Sequence, residues 1–158
     1  MDGEGRNLDA GQFPVGAGAR GNAGVAAALE QSDGAIGYLA IAYVFENKLD
    51  YALVQNAAGD FPVPGIDSIE AAAQTVKSLP TDNAVSITDP PASAHDAYPI
   101  STFTYALVPE QSSKASLLKP FLTYAIGEGQ KLGKQFQFAP LPTVVLAANR
   151  KTIARIHS

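Results

Sequence analysis

Residues 16–29 read GAGARGNAGVAAAL, and the fold turns on how that stretch is understood. Gly16-Ala17-Gly18-Ala19-Arg20-Gly21 spells G-x-G-x-x-G. A short apolar run, Phe13-Pro14-Val15, precedes it and an alanine-rich helical pattern follows. A dinucleotide-binding turn is written this way, because glycines let the backbone approach a pyrophosphate at a helix N-terminus. That reading also demands an acidic residue at the end of the next strand, about twenty residues on, to hold the ribose. The expected strand is Ala35–Leu39, followed by Ala40-Ile41-Ala42; no carboxylate comes until Glu46, late in the next expected helix. The nucleotide reading fails that demand. What survives is a glycine loop entering a helix whose free N–H groups and positive dipole end suit a small anion. Arg20, Gly21 and Asn22 are the candidate ligand-binding residues there, set against the plainer reading of Arg20 as a solvated side chain.

Working outward, residues 1–12 are polar and glycine-rich and are expected to be a flexible lead-in. Asn22 is placed to cap a helix over 23–31 with Val25, Ala26 and Leu29 on one face, and Gly34 to end it in the left-handed conformation. Ala35–Leu39 reads as a short buried strand, and 40–47 as a helix with Ile41, Val44 and Phe45 inward. Tyr51–Gln55 reads as a strand and Ala58-Gly59-Asp60 as a hairpin turn. Phe61-Pro62-Val63-Pro64 reads as an edge strand or arm, since proline cannot donate to a ladder. Asp67-Ser68-Ile69-Glu70 has the form of a capping box opening a helix to about Ser78. After the loop TDPPASAHDA (88–97) comes the strongest strand pattern, Tyr98–Val108, rich in aromatic and β-branched residues. Leu117, Leu118, Phe121, Leu122, Ala125 and Ile126 form a helical stripe that Pro120 should delay or kink. Pro142 suits the first turn of a last helix, and Arg150, Lys151, Arg155 and His157 gather toward its C-terminal end. Strands alternating with helices predict an α/β class, a mixed sheet flanked by helices.

Composition narrows the function. The chain has 158 residues, 46% hydrophobic and 16% charged, with a formal net charge of -4. That argues against a disordered charged tail and against a broad basic nucleic-acid surface, so no nucleic-acid partner is expected. No apolar run approaches a membrane span. The start MDGEGRNLDAGQ has no apolar h-region, so no signal peptide is read there. The expectation is a protein that stays where it is made or a piece of something longer. With no cysteine there is no disulfide framework and no thiolate metal site. His95 and His157 lack partners at metal-ligand spacing, so no metal and no cofactor are expected. Ser93, His95 and Asp96 are too close in sequence for a catalytic relay, and no G-x-S-x-G elbow is present. Gly133-Lys134 lacks the following Ser or Thr of a phosphate loop, and Glu128 stands where its first glycine belongs. No catalytic residues are assigned, and the chain is not read as an enzyme.

Taken as a string, the chain resembles the later part of the periplasmic phosphate-binding protein of the phosphate ABC transporter. That family writes W-P-x-G-x-G-x-x-G-N-x-G-V-A, then G-x-I-G-Y, then A-Y-A-x-x-N-x-L-x-Y. The matching positions are Pro14, Gly16, Gly18, Gly21, Asn22, Gly24, Val25 and Ala26. They continue through Gly34, Ile36, Gly37, Tyr38, Ala42, Tyr43, Asn47, Leu49 and Tyr51. Asp96-Ala97-Tyr98-Pro99-Ile100-Ser101-Thr102 resembles its D-A-[YW]-P-I-[ST] segment, 117–132 its F-x-x-W-A-x-x-x-G-Q helix, and Leu141-Pro142 its Y-x-x-L-P.

The resemblance implies part of a type II periplasmic-binding-protein-like fold. Residues 13–96 would be a second-lobe-like α/β portion. Residues 97–158 would hold the strand crossing back and first-lobe-like C-terminal helices. It implies a solute-binding component of phosphate uptake, with inorganic phosphate as ligand of the intact protein and an ABC transporter permease as partner. The place of action would be the periplasm or the outer face of the membrane. The family's recognised ligands lie in N-terminal segments and in an R-S-D-G-S-G-T segment, none of which this chain contains, so no ligand residue is carried over. The alternative is a stand-alone or appended interaction module of the same fold with no small-molecule ligand. Its bare surfaces would then pair with a partner or a second copy, a possible homo-oligomer.

Overall fold

The computed structural model describes residues 16–158. The expected lead-in over 1–12, the run Phe13-Pro14-Val15 and the family match at Pro14 lie outside the described residues. Among the described residues the regular structure is five α-helices and one 3-10 helix: α1 Gly21–Glu30, α2 Ile41–Glu46, α3 Ile66–Gln74, α4 Ala115–Ala125, the 3-10 segment Glu128–Phe136, and α5 Thr143–Arg155. The chain divides into two compact units, Met1–Tyr51 and Ala52–Ser158.

In the first unit α1 and α2 lie against one another. Arg20 is the residue before α1, and no side chain caps that helix. Asn22, expected as the cap, does something else: its Oδ1 accepts the Ala40 backbone N–H at 2.8 Å, tying the first turn of α1 to the start of α2. Gly34 does adopt the left-handed conformation (φ +74°) after α1. Gly37 runs close beneath α1. A Cβ there would come within 3.2–3.3 Å of Leu29 and Val25, which is why the side chain is absent. Ala26 and Val44 are the buried apolar residues of this unit.

The second unit has its core where α3, the segment after it and α5 meet. Ala73, Val76, Ile87 and Val145 are buried together, with Leu79, Val85, Phe103, Leu141 and Val144 packed around them. α3 starts at Ile66 with Gly65 before it, and Asp67 makes no capping bond. Ser68 instead turns its hydroxyl back to the carbonyls of Val63 and Gly65, at 2.7 and 3.1 Å. α4 runs through Pro120 without interruption. Proline removes one donor there, leaving the Ser116 carbonyl without its helical partner. Gln130 clasps the following turn, donating to Ala125 O at 2.9 Å and accepting from Leu141 N–H at 3.0 Å.

The expected α/β class with a mixed sheet is not what the chain forms. Among the described residues there is no strand, and the one β-type contact is an isolated parallel bridge between Gln111 and His157. Extended backbone becomes a strand only when a neighbour pairs its N–H and C=O groups about 4.8 Å away. Over 102–109 the described chain makes no backbone–backbone hydrogen bond. Its link to the adjacent extended segment is through a side chain: the Tyr105 hydroxyl donates to Val85 O at 2.7 Å and accepts from Val85 N–H at 3.2 Å. The span of an aromatic ring thus holds these two segments in place of a ladder. Ala35–Leu39 fails for a second reason. Ile36 and Tyr38 are 98% and 83% exposed, so the segment is neither paired nor buried as expected. Tyr51–Gln55 and 61–64 are likewise extended and unpaired in any ladder.

Candidate functional site

The G-x-G-x-x-G stretch enters α1 through two left-handed glycines, Gly16 (φ +107°) and Gly21 (φ +65°). Neither would crowd a neighbour with a Cβ, so backbone conformation and not space is what requires glycine at both. Arg20, Gly21 and Asn22 are all solvent-exposed at the helix start. The first bonded donor of α1 is the Gly24 N–H, 3.2 Å from Arg20 O, leaving the earlier N–H groups of the first turn without a helical partner. Asn22 is only in part available to a ligand, because its oxygen is committed to Ala40.

The most organised polar constellation lies elsewhere, at Asn56. Its side chain is buried and uses all four of its hydrogen-bonding positions. Nδ2 donates to His95 O at 2.7 Å and Ala97 O at 3.2 Å; Oδ1 accepts from Ala58 N–H at 3.1 Å and Asp60 N–H at 3.0 Å. One amide thereby closes the turn over 56–60 and pins the proline-rich loop to it. A turn does lie at Ala58-Gly59-Asp60, with Gly59 at φ +90°, but with no strand on either side it is not the hairpin expected there. Sequence reasoning passed over Asn56. The signal was there, since an asparagine opening a turn of small residues and glycine favours side-chain bonds to the amides that follow.

His95 Nδ1 lies 2.7 Å from Asp60 Oδ2, with both side chains more than half exposed. The sequence neighbours Ser93 and Asp96 take no part in that pair. Exposed and tied to a turn, the pair fastens the loop. Nor do three or more His, Asp or Glu side chains among the described residues gather to hold a metal. No described helix is long and apolar enough to cross a membrane.

Among the described residues, two of the concavities in the second unit bear on ligand binding. The larger, about 530 Å³, is walled by Phe103, Leu107, Leu122 and Ile153; its charged rim is Asp82, Glu110 and Arg155. More carboxylate than cation makes it unsuited to a phosphate ion. The smaller, about 400 Å³, opens between residues 77–83 and α5.

No family model matches the chain. Sequence comparison does find relatives. The chain is 36% identical over 144 residues to the phosphate-binding protein PstS of Xylella fastidiosa strain Temecula1, which takes in 89% of this chain and 38% of that protein. The chain is a homologue of part of these phosphate-binding proteins. The phosphate-binding protein PstS of Pasteurella multocida is 28% identical over 148 residues, 91% of this chain and 42% of its own length. That of Methanocaldococcus jannaschii is 34% identical over 126 residues, 71% and 32% respectively. The chain therefore spans about two fifths of the length of the relatives it matches. The resemblance read from the glycine stretch, the D-A-Y-P-I-S-T segment and the C-terminal helices is the one that these comparisons support. All three relatives are named as binding proteins, none as an enzyme.

Proposed function

We propose that this chain is part of the solute-binding component of a phosphate uptake ABC transporter, acting without catalysis on the outer side of the cytoplasmic membrane. Inorganic phosphate is the ligand of the intact protein and the transporter permease its partner. The observation that carries this reading is 36% identity to a phosphate-binding protein over 144 aligned residues, 89% of this chain. The remainder of the intact protein supplies the main ligand set. The contribution of this chain is proposed at Arg20, Gly21 and Asn22, where an exposed Arg20 stands beside the N–H groups of α1 that have no helical partner. Titration calorimetry of the purified chain with phosphate, against sulfate, tests the division of labour. No tight phosphate-selective binding is expected from the chain alone. Micromolar selective binding would mean that the full ligand set is here.

Exposure favours a second reading alongside the first. Ile36, Tyr38 and Leu107 are 98%, 83% and 95% exposed, well beyond what a solvated surface needs of such side chains. A module that covers these residues by pairing with another protein surface, or with a second copy, accounts for them without a small ligand. Light scattering separates the two. Reversible dimerisation independent of phosphate supports pairing, and a strictly monomeric, well-folded chain removes it.

A further inference from the structure

The smaller cleft of the second unit combines features that the phosphate reading leaves unused. On α5, Ala147, Lys151 and Arg155 follow one another at i, i+4, i+8 and so stand on one face. The alanine at the head of the row leaves room above Pro80 and Val144, and this makes the apolar floor of a cleft of about 400 Å³. The rim is cationic. Lys77 reaches it from the segment after α3, Lys151 and Arg155 from α5, and no carboxylate lines the cleft. Against a chain of net charge -4, this is a local excess of positive charge. Arg155 is spoken for, with Nε on Glu110 Oε1 at 2.7 Å and a terminal nitrogen on Thr81 O at 3.1 Å. Lys77 reaches only the Gln74 carbonyl, at 3.3 Å, and Lys151 makes no hydrogen bond or ion pair among the described residues.

The walls are fixed. Asn83, held at φ +60°, donates from Nδ2 to Asn149 Oδ1 at 3.0 Å and to Thr152 Oγ1 at 2.8 Å. With the Arg155–Thr81 bond, this fastens the 80–83 turn to α5 at two points. The walls of the cleft are thus anchored, with the Lys77 ammonium, held only to the Gln74 carbonyl, and the Lys151 ammonium beside a small apolar floor.

We infer that this cleft is a binding site for an organic phosphate monoester, its phosphate between Lys77 and Lys151 and its apolar body on Pro80, Val144 and Ala147. The site is independent of the proposal for the intact protein. It lies wholly within the second unit, needs an apolar body, and meets the ligand's charge with two lysine ammonium groups rather than a helix N-terminus.

Phenyl phosphate is the probe, titrated into the isotopically labelled chain at fixed ionic strength while backbone amide resonances are followed. Saturable millimolar shifts confined to residues 77–83 and 147–155 are expected, with inorganic phosphate several-fold weaker at the same amides. The double variant Lys77→Ala, Lys151→Ala should weaken binding about five- to ten-fold, as expected for losing two exposed charge contacts. Lys77→Arg, Lys151→Arg should keep it. Both pairs leave Asn83 and Arg155 in place, and an unchanged thermal melt verifies that they fold. Shifts scattered over the chain, equal response to inorganic phosphate, or equal binding by the alanine variant would each overturn the assignment.

Discussion

Replacing Asn56 tests how the second unit is held together. In Asn56→Ala the Ala97 carbonyl loses its partner at a buried position, while His95 O and the Ala58 and Asp60 N–H groups lose theirs where some water can reach. An orphaned buried group costs about 1–3 kcal/mol, and a typical hydrogen bond exchanged for water about 0.5–1.5 kcal/mol. With partial rescue by water, the expected loss is about 2–4 kcal/mol. Urea unfolding gives the total. Amide hydrogen exchange gives the place: the Ala58 and Asp60 amides should lose protection before the α5 amides do. Asn56→Asp sharpens the test. It keeps the acceptor for the two N–H groups but turns an anionic oxygen toward two carbonyls. Its carboxyl must therefore be raised above its unfolded value, and the variant should be less stable than Asn56→Ala at pH 7. The deficit should shrink as the pH falls through that raised value, because the folded state then holds the extra proton. A loss below about 1 kcal/mol in Asn56→Ala, with both amides still protected, would refute the clamp.

Further outcomes follow from single contacts. A Cβ on Gly129 would stand 2.9 Å from the Tyr124 carbonyl, so Gly129→Ala should cost about 1–3 kcal/mol in urea unfolding. Asn83→Ala loses both bonds to α5 and keeps the left-handed backbone, and a similar loss of about 1–3 kcal/mol is expected, seen as a lowered melting temperature. Burial raises the Tyr98 hydroxyl above its usual 10.0. Its neutral form is the one favoured in the folded state. The stability it contributes is present below pH 10 and is lost as pH rises through the raised value. Tyr98→Phe should flatten that alkaline decline, and melts of the two proteins recorded from pH 8 to about 11 should diverge only above the unfolded tyrosine value.

The helices were legible in the sequence because each carries its own signal. α1 and α2 follow the apolar spacing of Val25, Ala26, Leu29, Ile41 and Val44, although Phe45, expected inward, is exposed; α4 follows Leu118, Leu122 and Ala125, while Leu117 and Phe121 of the expected stripe face solvent; α5 begins just after Pro142. Their caps were less legible. Asn22 and Asp67 are cap residue types, yet neither caps its helix: Asn22 accepts the Ala40 N–H eighteen residues on, and Asp67 makes no capping bond. The strands were misread for a deeper reason. Tyr98–Val108 has the β-branched and aromatic composition of a strand, but composition names no partner. Where another extended segment does approach, the Tyr105 ring intervenes. The anion-binding residues proposed at the start of α1 rest on motif and exposure. The polar centre the fold does build, at Asn56, joins positions 38–41 residues apart and is invisible to local pattern.

The central claim is descent from, and service within, a phosphate-binding protein. A chimera tests it most directly: the Xylella fastidiosa relative with its matching 144 residues replaced by those of this chain, titrated with phosphate and sulfate by calorimetry beside the unaltered relative. The account predicts that the chimera folds and binds phosphate selectively, and that Arg20→Ala within it weakens binding. A chimera that folds with the cooperativity of the relative yet binds no phosphate would contradict it.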